Sequence, residues 1–307
     1  MILVLRALGV GDLATGVPAL RALRAAFPSE ELALAAPTWL TPLIDLIGGV
    51  DRVVPCAGLD DPLPPLPDVS VAVNLHGRGP QSHHRLAAVR PGALWAFATP
   101  EFPDGPPWRD DEHEVRRWTG LVRAYGVPAN DLDLDLRPPA RDVPHGVTII
   151  HPGAKSPSRR WPPDRYAAVA RALTDAGHRV LVTGSAAERE LAADVAARAG
   201  LGAPAVPETG LDDLAALIAH ARLLISGDTG VAHLATAFGT PSVTLFGPMP
   251  PSRWGPPPGR PRHRAIWHGT RAERGDLPGP GVHPALLAVT VEEVLAATHP
   301  SVSAARR

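Results

Sequence analysis

The residues best suited to chemistry lie in one stretch, Leu223 to Pro248, which reads LLISGDTGVAHLATAFGTPSVTLFGP. Asp228, Thr229 and His233, with Gly230 between them, set an acid, a hydroxyl and an imidazole within about one helical turn. The pattern predicts a buried strand over Leu223 to Ser226, a tight Gly-Asp-Thr-Gly loop, a helix over Val231 to Phe238 ended by Gly239, and a further strand from Ser242 to Phe246. In a parallel sheet such a loop sits at the carboxyl edge, where open α/β folds bind ligands. The helix beyond it offers N–H groups and a positive dipole end to an anion. A phosphate fits there.

Four further groups carry possible chemistry. Gly9 to Ala14 satisfies the dinucleotide pattern G-x-G-x-x-A between a strand and a helix. A dinucleotide site also wants an acid near the end of the second strand to hold the ribose, and Leu34 to Thr38 supplies none. The glycines then turn the backbone sharply while Asp12 points into a cleft; the competing role for Asp12 is a helix cap near Thr15. The loop from Ala154 to Pro162 offers Lys155, Ser156, Ser158, Arg159 and Arg160, three cations and two hydroxyls pinned by Trp161-Pro162. Such a set suits a phosphate or diphosphate, and its bland alternative is a solvated basic loop. Glu188, in the strand-end loop after Gly184, could accept from ribose hydroxyls or be an exposed first-turn glutamate. His76-Gly77-Arg78 either lines the facing side of the cleft or only terminates its strand. Asp131-x-Asp133-x-Asp135 contains the D-x-D pattern of some metal-dependent transferases, but its intervening leucines read as core and its acids as the outer face of an edge strand. The thirteen histidines are dispersed without H-x-x-x-H spacing, so no zinc site is expected.

These loops need elements to hold them. The 307 residues can bury one large core or two of ordinary size, and strand and helix patterns alternate along the chain. A helix over Val17 to Phe27 is expected with Pro18 in its first turn, followed by strands at Leu32 to Ala36, Arg52 to Pro55, Val69 to Leu75 and Asp131 to Leu136. Arg137 to Gly146, rich in Pro, Arg and Asp, reads as a linker, after which the alternation restarts, with a short strand at Ala205-Val206. Two doubly wound halves are the economical solution: 1–143, 144–289, and a terminal helix and tail at 290–307 free to pack back on the first half. A net charge of −1 gives no field for nucleic acid or an anionic membrane. Cys56, the sole cysteine, excludes an intrachain disulfide framework. The apolar start MILVLRALGVGDL, interrupted by Arg6, reads as a strand and not as a signal peptide. The uncharged run from Thr229 to Ser252 is broken by glycines and prolines and does not read as a membrane span.

Asp228-Thr229-Gly230-x-x-His233-Leu234-Ala235, then Gly239-x-Pro241 and Phe246-Gly247-Pro248, resembles the signature of family 9 glycosyltransferases, the heptosyltransferases of lipopolysaccharide assembly. Arg6, Gly11-Asp12, Pro18, His76-Gly77, Pro152-Gly153-Ala154, Arg160-Trp161-Pro162 and Val291-Glu292-Glu293-Val294 follow in family order. The resemblance implies a GT-B fold, two Rossmann-like domains facing across a cleft, with the acceptor on the N-terminal side and the nucleotide-sugar on the C-terminal side. It implies inverting transfer without a metal or other cofactor, the nucleotide-sugar (ADP-heptose or a similar donor) being a substrate. Asp12 is implied as general base; Arg6, Gly11, His76 and Arg78 are candidates for the acceptor side. Arg160, Asp228, Thr229, Gly230 and His233 are implied at the donor, Arg160 standing where the family usually has Lys, and Lys155, Ser156 and Glu188 join them as donor-side candidates from the reading of their own loops. The partners expected are a nucleotide-diphosphate sugar and a glycan or glycolipid acceptor, with at most peripheral membrane contact, for a cytoplasmic monomer. Two other readings remain beside it: an NAD-dependent oxidoreductase, and a catalytically silent nucleotide-sugar-binding protein.

Overall fold

A computed structural model describes residues 1–273 and 281–298. The last residues of the expected 290–307 segment, from 299 on, lie outside the described residues. The chain divides into two compact units, Met1–Arg137 and Pro138–Arg307.

The first unit runs β1 (Ile2–Leu5), α1 (Val10–Ala26), β2 (Leu32–Ala36), α2 (Thr41–Ile47), β3 (Arg52–Pro55), β4 (Val71–Asn74), α3 (Gln81–Ala87), β5 (Ala93–Trp95) and α4 (Glu114–Ala124). Its sheet is parallel throughout, in the order β3-β2-β1-β4-β5. β1 and β2 are buried along their whole length, which is why they read as unbroken apolar runs and not as alternating ones. The chain winds one way from β1 through β3 and the other way from β4 to β5, so a crevice opens past the carboxyl ends of β1 and β4.

α1 departs from expectation. It begins at Val10, seven residues before the sequence pattern suggests, and Pro18 falls in its interior, where it cannot donate to the carbonyl of Ala14. The early start is held from both sides: Asp12 Oδ2 accepts from the Gly9 N–H at 3.2 Å, and the buried Arg6 guanidinium donates to the Asp12 carbonyl. Gly16 permits this, since a Cβ there would come within 2.8 Å of Arg6 Nε. Asp131 to Leu136 forms no strand; it is an irregular strap whose acids pair with arginines, Asp133 with Arg21 at 2.5 Å and Asp131 with Arg123 at 2.6 Å, while Leu134 and Leu136 are buried.

The second unit runs β6 (Thr148–His151), α5 (Pro163–Asp175), β7 (Val180–Val182), α6 (Arg189–Arg198), α7 (Leu211–His220), β8 (Leu223–Gly227), α8 (Gly230–Phe238), β9 (Ser242–Leu245), α9 (Pro251–Trp254), β10 (His263–Ile266), α10 (Pro284–Leu287) and α11 (Val291–Thr298). Its parallel sheet has the order β10-β9-β8-β6-β7, with the winding reversing between β6 and β8. Ala203–Ala205 is a single 3₁₀ turn where a short strand was expected; its Pro204 suits the first turn of a helix and cannot donate to a ladder. Trp161, 1 % exposed, meets Tyr166 edge-on at 5.0 Å and donates to the Val289 carbonyl at 3.2 Å. Burying an indole of that size stabilises the unit by roughly 4–6 kcal/mol of apolar transfer, and it pins the loop before it. α11 packs against α5, β9 and β10 of its own unit. Among the described residues no helix is long and apolar enough to cross a membrane.

Candidate active site

At the crevice of the first unit, Arg6 is fully buried. Its guanidinium donates to the carbonyls of Asp12 and Leu75 and to Thr15 Oγ1 at 2.9 Å, lies 3.8 Å from Glu114, and stacks 4.7 Å over Trp118. Burial pushes its pKa below the usual range, opposed by the charges of Asp12 and Glu114. The expectation that Arg6 meets an acceptor gives way to a different role: with no exposed surface it joins the start of α1 to the end of β4 and so fixes where Asp12 and His76 stand.

Asp12 sits in the first turn of α1, partly exposed. Gly11, one residue earlier, is partly exposed as well. Past β4, Asn74 shapes the turn that carries His76. It donates to the Gly77 carbonyl at 3.1 Å and to Ser82 at 2.9 Å, and it accepts from the His76 N–H at 3.0 Å. His76 is half-buried, with Nδ1 lacking a hydrogen-bond partner among the described residues. Burial and the Arg6 charge push its pKa down to about 4 against the pull of Asp12, so the ring is neutral at pH 7. Arg78 is exposed and forms no hydrogen bond or ion pair among the described residues.

The carboxyl edge of the second sheet is polar where the strands are otherwise apolar. His151, Ser226 and Thr244 lie side by side on β6, β8 and β9, and His151 Nδ1 meets Thr183 Oγ1, just past β7, at 3.0 Å. All four are buried. Above this row, β8 ends in Asp228 and α8 begins. Thr229, the N-cap, is extended (φ −143°, ψ 173°); its hydroxyl makes no capping bond, and Oγ1 is buried without a hydrogen-bond partner among the described residues. The first turn of α8 thus opens at Gly230 without a cap from the Thr229 hydroxyl, and it presents its N–H groups and positive dipole end at the carboxyl edge of the sheet. Gly239, at φ 67°, ends the helix in the left-handed region.

The basic loop closes over this point. Arg159 Nη1 donates to the Asp228 carbonyl at 3.4 Å and lies 3.9 Å from its carboxylate. Arg160 Nε donates to the Ala154 carbonyl at 2.8 Å, Ser156 is buried with its hydroxyl 2.8 Å from that of Ser158, and Lys155 is exposed with no hydrogen bond or ion pair among the described residues. His233, on the first turns of α8, meets Trp254 of α9 edge-on at 5.8 Å.

Glu188 is not an ordinary exposed helix-start acid. Its carboxylate lies over Gly153, where a Cβ would come within 2.3 Å of it, accepts from the Ser185 N–H at 3.0 Å and hydroxyl at 2.8 Å, and stands 3.9 Å from His151 Nε2. Burial pushes this carboxyl up, yet the Ser185 bonds, His151 and Arg160 together hold it below the usual range. His151 is pushed the other way from its own usual value, down by burial against the pull of Glu188. Beside Glu188 opens a cavity of about 340 Å³ lined by Gly184, Ala186, Arg189, Val206, Pro207 and Glu208, among others.

Each expected site residue thus lies at a sheet's carboxyl edge or just beneath it. Asp12, Gly11, His76 and Arg78 gather in the first unit, and Lys155, Ser156, Arg160, Glu188, Asp228, Thr229, Gly230 and His233 in the second. Sequence reasoning missed His151, Asn74 and the 206–210 wall of the cavity. The one signal for His151 is that an apolar strand turns polar at its last residue, a pattern repeated at Thr183, Ser226 and Thr244. Among the described residues no group of three or more His, Cys, Asp or Glu is placed to hold a metal ion.

Comparison with known proteins bears on what such edges serve. The chain is 27% identical to the lipopolysaccharide heptosyltransferase 2 of Escherichia coli K12, over 96% of each chain. Its fold matches that of an E. coli ADP-heptose heptosyltransferase II at a TM-score of 0.74, with 22% identity and 96% of each chain covered. An E. coli heptosyltransferase solved with ADP matches at 0.71, with 17% identity over 96% of this chain and 98% of that one. The two doubly wound parallel sheets are accordingly of the GT-B class expected from the sequence. The model of glycosyltransferase family 9 (heptosyltransferase) matches residues 110–275, more than half of the chain. On that extent of match, with the Asp228 to Pro248 signature inside it, the chain belongs to glycosyltransferase family 9 and is a glycosyltransferase.

Proposed function

We propose that this enzyme moves a heptose from ADP-heptose to a hydroxyl of a lipopolysaccharide acceptor, with inversion and without a metal. The observation that carries the reading is the start of α8, where the Thr229 hydroxyl makes no cap to the helix N-terminus and Arg159 lies against Asp228, in the same loop as Lys155 and Arg160. Breaking a bond from a sugar carbon to a diphosphate leaves negative charge on the departing nucleotide. A fixed dipole end and guanidinium groups stabilise that charge where it develops. The same cations supply positive charge of the kind a divalent ion gives in other transferases. Glu188, held as a carboxylate, is suited to accept from ribose hydroxyls, and the adjoining cavity has room for a nucleobase. His233, on α8, is assigned to the diphosphate side.

On the acceptor, Asp12 is assigned the role of general base, removing the hydroxyl proton as the new bond forms. Direct attack by the acceptor with a single displacement inverts the sugar carbon and needs no nucleophile from the protein. His76, neutral, and Arg78, exposed and without an ion pair among the described residues, are assigned to acceptor contacts, and the reaction is assigned to the cytoplasm. The relative named as a lipopolysaccharide heptosyltransferase supports the sugar and the acceptor, and the structure solved with ADP supports the nucleotide.

The test is ADP release from ADP-heptose with and without a deacylated lipopolysaccharide oligosaccharide. Acceptor-dependent release is expected. A protein that binds ADP but releases none with any acceptor would favour a silent binding protein over this reading.

A further inference from the structure

Trp39 is the most exposed large apolar side chain among the described residues, at 55 %. Its exposure is not that of a loose loop. Pro37 and Leu40 on either side are buried, the Leu40 N–H donates to the Pro37 carbonyl at 3.0 Å, and the Thr41 hydroxyl donates to the Thr38 carbonyl at 2.7 Å. A rigid turn therefore holds an indole in water, forgoing the burial that usually repays so large a ring.

The place of that turn gives it meaning. β2 pairs with β1 so that Ala35 lies opposite Leu5, and the Arg6 N–H donates to the Ala35 carbonyl at 2.9 Å. The chain leaves β2 at Pro37-Thr38-Trp39 on the same carboxyl edge where it leaves β1 toward Asp12. Trp39 thus stands one strand away from Asp12, with His76 and Arg78 past β4 on Asp12's other side. We propose that Trp39 is the platform on which a sugar ring of the acceptor stacks, its indole covering the apolar C–H face of the ring while the ring's hydroxyls stay polar and reachable. The inference rests on the acceptor-side assignment of Asp12 made above. A lipid surface is the poorer occupant: from Leu32 to Asp45 there is no Lys or Arg, and Trp39 is the one large apolar side chain of that stretch that is exposed.

The test uses the full chain and Trp39→Ala and Trp39→Phe variants, titrated by calorimetry with a deacylated lipopolysaccharide oligosaccharide and separately with ADP. Trp39→Ala is expected to weaken oligosaccharide binding roughly tenfold, Trp39→Phe to recover most of that loss, and neither to change ADP binding or the melting temperature. Unchanged oligosaccharide affinity in Trp39→Ala overturns the inference while leaving the donor reading in place. Oligosaccharide binding that depends on Trp39 in a protein that does not bind ADP overturns the donor reading while leaving the inference standing. A parent protein that binds neither overturns both. If oligosaccharide affinity is unchanged and Trp39→Ala instead loses co-sedimentation with anionic phospholipid vesicles, Trp39 is a membrane contact and the inference is wrong.

Discussion

Arg160 and His76 place the account under test at single side chains. Arg160 is held by its Nε on the Ala154 carbonyl, in the loop that closes over the start of α8. Removing a charge-assisted contact to a diphosphate should cost about 1.5–3 kcal/mol. Calorimetry with ADP should therefore show Arg160→Ala binding weakened by that amount with the melting temperature little changed; equal affinity would mean that the phosphates lie elsewhere. His76 makes a pH prediction. An unfolded imidazole titrates near 6.5, while burial and Arg6 hold the folded one at about 4. The folded state binds fewer protons, so this contribution is complete above about pH 6.5 and is lost as pH falls toward 4. Melting temperatures taken from pH 7 to pH 4 should fall less steeply in His76→Gln, which carries no proton to take up. Identical slopes in the two proteins would contradict the burial argument.

At the scale of elements, the first unit is organised by a strand-end arginine that two carbonyls, a hydroxyl, a glutamate and an indole surround. Without the guanidinium the carbonyls of Asp12 and Leu75 lose a buried donor, while Glu114 keeps its bonds from Arg117 and Trp118, so Arg6→Met should destabilise the protein by about 1–3 kcal/mol in denaturant unfolding. Gly16→Ala, whose Cβ would press on Arg6, should cost about 1–3 kcal/mol. A neutral result for both would mean that the staple is not what holds the start of α1. These contacts also mark where the sequence was legible. The β8-α8-β9 unit could be read in advance because its signals are local: an apolar run, a Gly-flanked acid, a helical period and a terminating Gly239. The start of α1 could not, because Gly9-Val10-Gly11 reads as a loop until Arg6 takes the carbonyl of Asp12 from outside the segment. Asp131 to Leu136 has the alternation of a strand, but arginines on other elements occupy its acids and no neighbouring strand pairs with it among the described residues. β10 went unread among its prolines, since its strand character comes from pairing with β9. The donor-side candidates were visible as residue types, whereas the His151 to Thr244 row needed the register of four strands to appear.

For the whole molecule, two units share one device, a parallel sheet whose winding reverses, and the proposed function assigns the acceptor to the carboxyl edge of the first and the donor to that of the second. ADP should raise the melting temperature of the intact chain, because a ligand at a hundred times its Kd stabilises the native state by about 2.7 kcal/mol. Asp12→Asn should respond to ADP as the parent does, since the proposed function assigns Asp12 to the acceptor side. The Asn side-chain oxygen can still accept from the Gly9 N–H, so the helix start survives the substitution and a kinetic effect can be read cleanly. The decisive measurement is the turnover of Asp12→Asn with ADP-heptose and oligosaccharide, taken together with its ADP affinity and melting temperature. The account predicts turnover lower by roughly 10²–10⁴-fold with the other two quantities nearly unchanged. Full turnover in Asp12→Asn would contradict it.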